Sequence, residues 1–308
     1  MTRMPTYFIS HGGGPWPWMP DWRAMFKNLE ASFVQMVKDL PERPKAILMI
    51  SGHWEDASFA VMTSANPPMV YDYHGFPPET FQITYNAPGA PEIARRAAGL
   101  IAAAGLPVRL DDRQGFDHGC FVPAFVMYPD ASVPVFQISL QKGYDPARHL
   151  ALGRALAPLR DEGVLIVGSG MSFHNMRGYG DPRFAPISDE FDRWLSAAVE
   201  SAPEQRDLAL QRWEQAPSAR LCHPPRAEEH LLPLLVAAGG LNRFEVTVFG
   251  AEPDSAYDRV HLSEVFGGKA PEAKPCSTRS SIRLCRLGAK GWIRPSTANR
   301  PTADMVKR

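Results

Sequence analysis

The sequence has few cysteines, no long apolar run and no overall excess of charge of either sign. Its 308 residues include four cysteines, none of them in a C-x-x-C pair, which excludes a disulfide-stapled scaffold and a cysteine-based structural zinc site. No stretch approaches the roughly 18–20 apolar residues of a membrane span. The N-terminal segment also lacks the apolar core of a signal peptide. These absences predict a reduced, cytoplasmic protein with no membrane partner.

The formal net charge is zero because two segments of opposite charge cancel. From Gly267 onward ten basic residues accompany two acidic ones, a charge of +8, whereas residues 1–266 carry 23 basic and 31 acidic side chains, a charge of −8. The acidic segment excludes a basic nucleic-acid-binding domain, so we expect no nucleic-acid partner. Segment 267–308 has no hydrophobic periodicity and is rich in Arg, Lys, Ser, Pro and Thr, which predicts a poorly structured basic extension. Residues 1–266 are expected to form one domain.

Short apolar runs alternate with longer amphipathic segments along residues 1–266. The runs Ala46–Ile50 and Val164–Val167 are apolar throughout, as in strands that are covered on both faces. The predicted strands are Thr6–Ser10, Ala46–Ser51, Phe59–Thr63, Val108–Leu110, Val133–Leu140, Val164–Gly168 and Phe244–Phe249. The predicted helices are Asp21–Asp39, Pro91–Ala104, Pro146–Leu159, Ser188–Glu200, Glu204–Gln215 and Arg226–Ala238. This alternation predicts a single α/β domain with a central, mostly parallel or mixed sheet flanked by helices.

Three of the nine histidines directly follow predicted strands. His11 follows the first strand, His53 the second and His174 the strand that begins at Val164. The C-terminal ends of parallel strands meet at one edge of a sheet, so these side chains are expected to converge where ligands bind. Imidazole suits Zn(II) and Fe(II), and a histidine cluster without cysteine is typical of a catalytic metal site with open positions.

Two further histidines extend this cluster. His118 lies in a Gly-Phe-Asp-His-Gly motif, and His230 is predicted in the first turns of the helix 226–238. A histidine that only faces solvent at the start of that helix is an equally good interpretation of His230. Together with His11 and His53, His230 makes a candidate ligand set. Histidines outside the ligand set can act as acid or base, because imidazole titrates near neutral pH.

Motifs for two other chemistries are missing. The sequence has no G-x-x-x-x-G-K-[ST] loop, which excludes a P-loop nucleotide site. It also has no G-x-S-x-G turn, which excludes the nucleophile of a serine hydrolase of the α/β type.

Seven stretches occur in an order that is characteristic of one enzyme family. They are Phe8–Gly12, Ile50–Trp54, Tyr71–Pro77, Tyr85–Gly89, Gly115–Gly119, Gly168–Asn175 and Glu229–Leu235. This set resembles the class III extradiol ring-cleaving dioxygenases, specifically the branch named for 4,5-DOPA extradiol dioxygenase. The resemblance extends over about residues 5–266, so residues 1–266 are expected to be the catalytic domain.

The resemblance implies a role for each histidine of the cluster. It implies that His11, His53 and His230 bind the metal, and that His174 is either a fourth ligand or the acid–base residue. His118 matches a family position near substrate and dioxygen. The implied metal for catalysis is Fe(2+), with Zn(2+) as the alternative bound metal. Related class III enzymes hold iron with two histidines and a carboxylate, whereas the third ligand here is a histidine.

The implied reaction is the extradiol opening of a catechol-type ring with O2 to give a muconic semialdehyde. The expected partners are therefore a small aromatic diol and dioxygen, and Trp54, Tyr73, His74 and Phe76 are expected to line the substrate pocket. The sequence leaves open which catechol is cleaved, the regiochemistry and the oligomeric state. Two alternatives remain at this point: a zinc-dependent hydrolase that activates water, and a non-catalytic binding protein with the same fold.

Overall fold

The computed structural model describes residues 2–179 and 181–241, and the backbone of residues 246–249. The strands are β1 (Thr6–Ser10), β2 (Ala46–Ser51), β3 (Glu55–Asp56), β4 (Phe59–Met62), β5 (Val108–Asp111), β6 (Val135–Gln137), β7 (Leu140–Gln141), β8 (Val164–Gly170) and β9 (Val246–Phe249). The helices are α1 (Pro20–Met25), α2 (Lys27–Lys38), α3 (Pro91–Ala103), α4 (His118–Met127), α5 (Pro146–Leu156), α6 (Pro158–Asp161), α7 (Ala185–Glu200), α8 (Pro203–Gln211), α9 (Ala219–Cys222) and α10 (Leu232–Gly239).

A parallel sheet forms the centre of the molecule. Within the described residues it has five strands in the order β6-β2-β8-β1-β9, and two small parallel pairs, β3–β7 and β4–β5, lie outside it. Ser10 of β1 is in register with Gly170 of β8, and Ser51 of β2 with Ser169, so the strands end at the same edge. The expected α/β domain with a parallel sheet flanked by helices is confirmed.

Helices cover both faces of β8. Its seven residues are all buried, which explains why the run Val164–Val167 is apolar without alternation. Gly168 faces α10, since a Cβ on it would overlap the carbonyl oxygen of Pro233. Ser169 points to the opposite face, where its hydroxyl donates a hydrogen bond to the carbonyl oxygen of Gly119 in α4 at 2.5 Å. Helices α10 and α4 therefore enclose the strand at the end where the histidines lie.

The prediction of a single strand over 133–140 is wrong. The chain forms two short strands there, and β6 pairs with β2 whereas β7 pairs with β3. Between them the backbone N–H of Ser139 donates to Ala60 in β4 at 2.9 Å, so the chain leaves the central sheet at this point. Strand β8 continues beyond its predicted end to Gly170. Of the predicted strand 244–249, residues 244 and 245 lie outside the described residues.

Several predicted helices are interrupted or shortened. The helix predicted over 21–39 breaks at Phe26, between α1 and α2. The helix predicted over 146–159 ends at Leu156 and a new one starts at Pro158, because proline cannot donate the hydrogen bond that would continue the first. The helix predicted over 204–215 ends at Gln211 and is followed by a 3₁₀ turn. Helix α4 was not predicted at all.

His230 does not lie in a helix, which corrects the prediction of a helix over 226–238. Arg226 has a left-handed backbone conformation (φ 70°), so a helix cannot run through it, and α10 begins only at Leu232. His230 lies in the turn before α10, where the N–H of Leu231 donates to the carbonyl oxygen of Glu228 at 2.9 Å.

The basic extension 267–308 and its boundary at residue 266 lie outside the described residues. Among the residues that the structure does describe, no helix combines the length and the apolar character needed to cross a membrane. The compartment in which the protein resides stays a prediction from the sequence.

Candidate metal centre and active site

His11, His53 and His230 meet at the edge where the parallel strands end. His11 directly follows β1, and His53 follows β2 after a single intervening glycine. The turn that carries His230 is attached to β8, because the carbonyl oxygen of His230 accepts a hydrogen bond from the N–H of Met171 at 2.8 Å. Two strand ends and one turn thus supply the three imidazoles.

Two glycines allow the turn of His230 to come this close. A Cβ on Gly170 would overlap the carbonyl oxygen of His230 and lie 3.2 Å from Cγ of Pro233. A Cβ on Gly52 would lie 3.3 Å from Cα of His230. Side chains at these positions would push the turn away from the strand ends.

The Nε2 atoms of the three imidazoles face one another. Nε2 of His53 lies 3.1 Å from Nε2 of His11 and 3.2 Å from Nε2 of His230. The three side chains offer nitrogens that all lie within 4.8 Å of one another. His11 and His230 are buried, whereas the side chain of His53 is 21% exposed, so the cluster is accessible from one side.

Each of these imidazoles has an oxygen close to its other nitrogen. Nδ1 of His11 lies 3.1 Å from the hydroxyl of Ser169, which gives its own proton to Gly119, so the ring nitrogen is the donor. Nδ1 of His230 donates to a carboxylate oxygen of Glu229 at 3.0 Å, and Nδ1 of His53 lies 3.3 Å from a carboxylate oxygen of Asp72. Carboxylates only accept hydrogen bonds, which favours the proton on Nδ1 and leaves the lone pair on Nε2.

This donor set fits a divalent transition-metal ion. Three nitrogens bound at about 2.0–2.1 Å around one ion lie about 3.0–3.4 Å apart, which matches the distances observed here. Three unprotonated Nε2 atoms this close repel one another unless a cation lies between them. Imidazole ligands suit iron(II) and zinc(II) alike, so the geometry fits a metal without identifying it.

His174 lies beside this set rather than within it. Its ring stacks on the ring of His230, with centroids 3.5 Å apart and an angle of 20° between the planes. Its ligand atoms group with those of Glu229 and His230, not with those of His11 and His53. Nδ1 of His174 lies 3.2 Å from Oε1 of Glu229, without the alignment of a hydrogen bond. His174 is therefore adjacent to the set of His11, His53 and His230 without being part of it.

His118 lies on the other side of the cluster, at the first residue of α4. Its ring centroid is 3.9 Å from that of His53 and 5.3 Å from that of His11. Nδ1 of His118 lies 2.9 Å from both carboxylate oxygens of Asp72, and its backbone N–H donates to one of them at 3.0 Å. Asp72 therefore fixes both the backbone and the ring of His118.

The electrostatics favour neutral imidazoles at His53 and His230 and ionised carboxylates at Asp72 and Glu229. Burial and the neighbouring His118 lower the pKa of His53 to about 3, and burial with the adjacent imidazoles, that of His174 first, holds the pKa of His230 well below its ordinary value. Burial by itself would raise the pKa of Asp72, but its hydrogen bonds with His118 and its interactions with His118 and His53 hold it below the usual range. Burial would also raise the pKa of Glu229, but its interactions with His174, with the backbone and with His223 together lower it. Such a site attracts a cation.

The four residues expected in the substrate pocket lie in different surroundings. The ring of Tyr73 stands edge-on to that of His118 at 5.8 Å, and Phe76 stands edge-on to Tyr73 at 5.4 Å, so both flank the histidine cluster. Trp54 is buried in the hydrophobic core directly after His53 in sequence. His74 is exposed.

Sequence reasoning did not single out Asp72, Glu229 or Ser169, although the structure places all three against the imidazoles. Asp72 and Glu229 each lie inside a stretch that carries the family resemblance, and Glu229 directly precedes a predicted ligand. A carboxylate directly beside a predicted metal-binding histidine in the sequence could have indicated the role of Glu229. Ser169 also lies inside such a stretch, Gly168–Asn175, but its residue type does not indicate a contact with an imidazole.

Comparison with known proteins identifies the family. Residues 6–253 match the family model described as the catalytic LigB subunit of aromatic ring-opening dioxygenase. A 4,5-DOPA dioxygenase extradiol of Beta vulgaris is 41% identical over 76% of this chain and 85% of that protein, and one of Escherichia coli is 34% identical over 82% and 92%. A dioxygenase, tasH, of Hapsidospora irregularis is 39% identical over 79% of this chain and 81% of that protein.

The fold is found in a solved structure as well. The crystal structure of an uncharacterized protein from Escherichia coli K12 superimposes with a TM-score of 0.59 at 33% identity, over 69% of this chain and 82% of that one. The family match implies an oxygenase that opens an aromatic ring with dioxygen at a non-haem metal, and the histidine cluster supplies residues that can hold this metal. The chain therefore belongs to the LigB family of aromatic ring-opening dioxygenases, in the branch of the 4,5-DOPA extradiol type.

Proposed function

We propose that this protein opens the ring of a catechol-type diol with O2 beside its two hydroxyl groups, giving a muconic semialdehyde. The observation that carries this proposal is the convergence of five imidazoles at one sheet edge: Nε2 of His53 lies 3.1 and 3.2 Å from the Nε2 atoms of His11 and His230, and two further rings lie beside them. We assign the activity to residues 1–266 and none to the basic extension.

His11, His53 and His230 would hold the metal through Nε2, with Fe(2+) as the catalytic ion and Zn(2+) as an ion that the same nitrogens would bind. Bound iron(II) supplies a Lewis acid and an electron path between an aromatic diol and dioxygen. The protein's part is to leave positions open on the exposed side of His53, whose side chain is 21% accessible, and to keep the ligand nitrogens unprotonated.

His174 is proposed as the base that takes a proton from a substrate hydroxyl. Its Nδ1 faces Glu229 at 3.2 Å, so Nε2 is the nitrogen that would accept this proton, and the carboxylate would stabilise the resulting charge. The side chain is 17% exposed and therefore reachable from the open side of the site.

His118 is proposed to contact substrate or dioxygen from the opposite side, close to His53 and His11. Tyr73 and Phe76 extend from His118 as an aromatic wall and are proposed to contact the ring of the diol. Trp54, which is buried in the hydrophobic core, and His74, which is exposed, are proposed to line the pocket as well.

The test is oxygen uptake by protein loaded anaerobically with Fe(2+) and then mixed with O2 and catechol, DOPA or protocatechuate. We expect uptake together with the yellow absorbance of a semialdehyde for at least one of these diols. Protein loaded with Zn(2+) serves as the matched control and is expected to consume no oxygen. If iron is bound at one equivalent and no catechol in the panel causes oxygen uptake, the proposed function is wrong.

A further inference from the structure

Asp72 contacts two histidines that have different roles in the proposed function. Its Oδ1 accepts the backbone N–H of His118 at 3.0 Å, and both oxygens lie 2.9 Å from Nδ1 of His118. Its Oδ2 also lies 3.3 Å from Nδ1 of His53. One carboxylate is thus shared between a proposed metal ligand and the imidazole expected to contact the reactants.

The position of the proton on each ring follows from this arrangement. A carboxylate oxygen only accepts, and an unprotonated ring nitrogen at 3.3 Å or less would set two lone pairs against each other. The proton therefore resides on Nδ1 in both His53 and His118. In both rings this leaves Nε2 as a hydrogen-bond acceptor or ligand atom.

We propose that Asp72 is a positioning residue that fixes the Nδ1–H form of both His53 and His118, so that one Nε2 is presented to the metal and the other to the reactants. The part that concerns His118 rests on the proposed function, whereas the part that concerns His53 rests on metal binding alone. In this form Nε2 of His118 can accept a hydrogen bond from a substrate hydroxyl.

The two contacts of Asp72 differ in a way that makes the proposal testable. Oδ1 contacts both N–H groups of His118 and Oδ2 contacts its Nδ1 as well, whereas His53 lies next to Oδ2 only. In Asp72→Asn the amide oxygen is expected to occupy the Oδ1 position, because it must accept the backbone N–H of His118. The amide NH2 then faces Nδ1 of His53 and favours a proton on Nε2, where the metal should bind.

The first measurement is the affinity for Zn(2+) alone, determined by competition with a chelator. Asp72→Asn is expected to weaken binding by about 10–100-fold, the usual effect of removing an outer partner of a ligand histidine. Asp111→Asn is the matched control, because Asp111 has a side-chain exposure of 16% against 18% for Asp72 and also accepts several hydrogen bonds, but lies away from the histidines. It should bind Zn(2+) like the wild type.

The second measurement is the protonation pattern of the imidazoles by 15N–1H correlation spectroscopy of the full chain. The wild type should show Nδ1–H for His53 and His118. Asp72→Asn should change His53, whereas His118 should keep its Nδ1–H form through the amide oxygen at the Oδ1 position, and Asp72→Ala should change both. With saturating Fe(2+), Asp72→Asn should recover most of the kcat with a diol that the wild type turns over, whereas Asp72→Ala should not.

Wild-type Zn(2+) affinity in Asp72→Asn, or an Nε2–H form of either histidine in the wild-type spectrum, would overturn the proposal. The spectrum of the wild-type protein tests the Nδ1–H form of both histidines by itself, so the proposal stays testable even if Asp72→Ala does not fold. If no diol is turned over, the metal-affinity and spectroscopic results still decide the role of Asp72. A failure of the proposed ring-opening function can therefore be distinguished from a failure of the proposed role of Asp72.

Discussion

Replacement of Gly170 by alanine should displace His230 and so weaken the metal site. The added Cβ would overlap the carbonyl oxygen of His230 and lie 3.0 Å from its carbonyl carbon and 3.2 Å from Cγ of Pro233. Two of these three neighbours are backbone atoms, so no side chain can rotate away to relieve the overlap. The same carbonyl oxygen accepts the hydrogen bond from Met171 that attaches the turn to β8.

The expected displacement is large compared with what a metal site tolerates. Ordinary contacts between heavy atoms begin near 3.5 Å, so the carbonyl oxygen of His230 must retreat by more than about 1 Å. Ligand positions must be held within roughly 0.5 Å for productive geometry. Inserting a methyl group into such a packed position also costs about 1–3 kcal/mol of unfolding free energy. We therefore expect lower stability and at least tenfold weaker Zn(2+) binding for Gly170→Ala.

Gly99→Ala is the control with the same chemical change. Gly99 is an exposed residue inside α3, and a Cβ on it would meet no atom within 4 Å. Alanine there should stabilise the protein by about 0.5–1 kcal/mol through helix propensity. Thermal unfolding with and without Zn(2+) gives both quantities, because an ion at 100 times its Kd adds about 2.7 kcal/mol to the folded state. A Gly170→Ala protein with wild-type Tm and a wild-type increase of Tm on adding Zn(2+) would refute the reasoning.

Three further outcomes are expected. His174→Ala should retain the metal and lose turnover by about 100-fold or more, as for removal of a proton-transfer group, whereas loss of the metal would make His174 a ligand. Burial and the charge of Asp72 raise the pKa of Asp117 to about 6, above its value of 3.8 in the unfolded chain, so stability is lost as pH rises through about 4 to 6. Asp117→Asn should remove this loss, which urea unfolding at pH 4.5 and 7.5 will show as a stabilisation of the variant relative to wild type that grows with pH. Removal of residues 268–308 should leave oxygen uptake and Tm unchanged, and a drop in either would mean that the domain boundary lies further along the chain.

The parts of the fold that follow from local pattern could be predicted from the sequence. The strands Thr6–Ser10 and Ala46–Ser51 have the predicted bounds. Each is buried at every residue, and a strand buried on both faces shows in the sequence as a short continuous apolar run. The predicted convergence of His11 and His53 follows from this, since both directly follow parallel strands in the same sheet.

The parts that depend on contacts between distant segments could not be predicted. The apolar residues after Leu231 resemble an amphipathic helix that starts earlier, but the left-handed Arg226 delays the helix and places His230 in a turn. Asp72 lies 46 residues from His118, with which it makes its closest contact. No periodicity in the stretch around Asp72 indicates that its loop folds over the ends of the strands, because that placement depends on the packing of aromatic rings such as Tyr73 and Phe76.

The position of the two carboxylates also resolves the charge of the site. The resemblance to enzymes with two histidines and one carboxylate as ligands raised the question of which charge balances the metal when the third ligand is a neutral histidine. In this structure two carboxylates contact the imidazoles from the side away from Nε2. Asp72 lies next to Nδ1 of His53, and Glu229 lies next to Nδ1 of His230. Both carboxylates have a pKa below the ordinary value, so both are ionised and can offset charge of a divalent ion. With His11, His53 and His230 as the proposed ligands, neither carboxylate would occupy a position on the metal, so positions would stay open for both reactants.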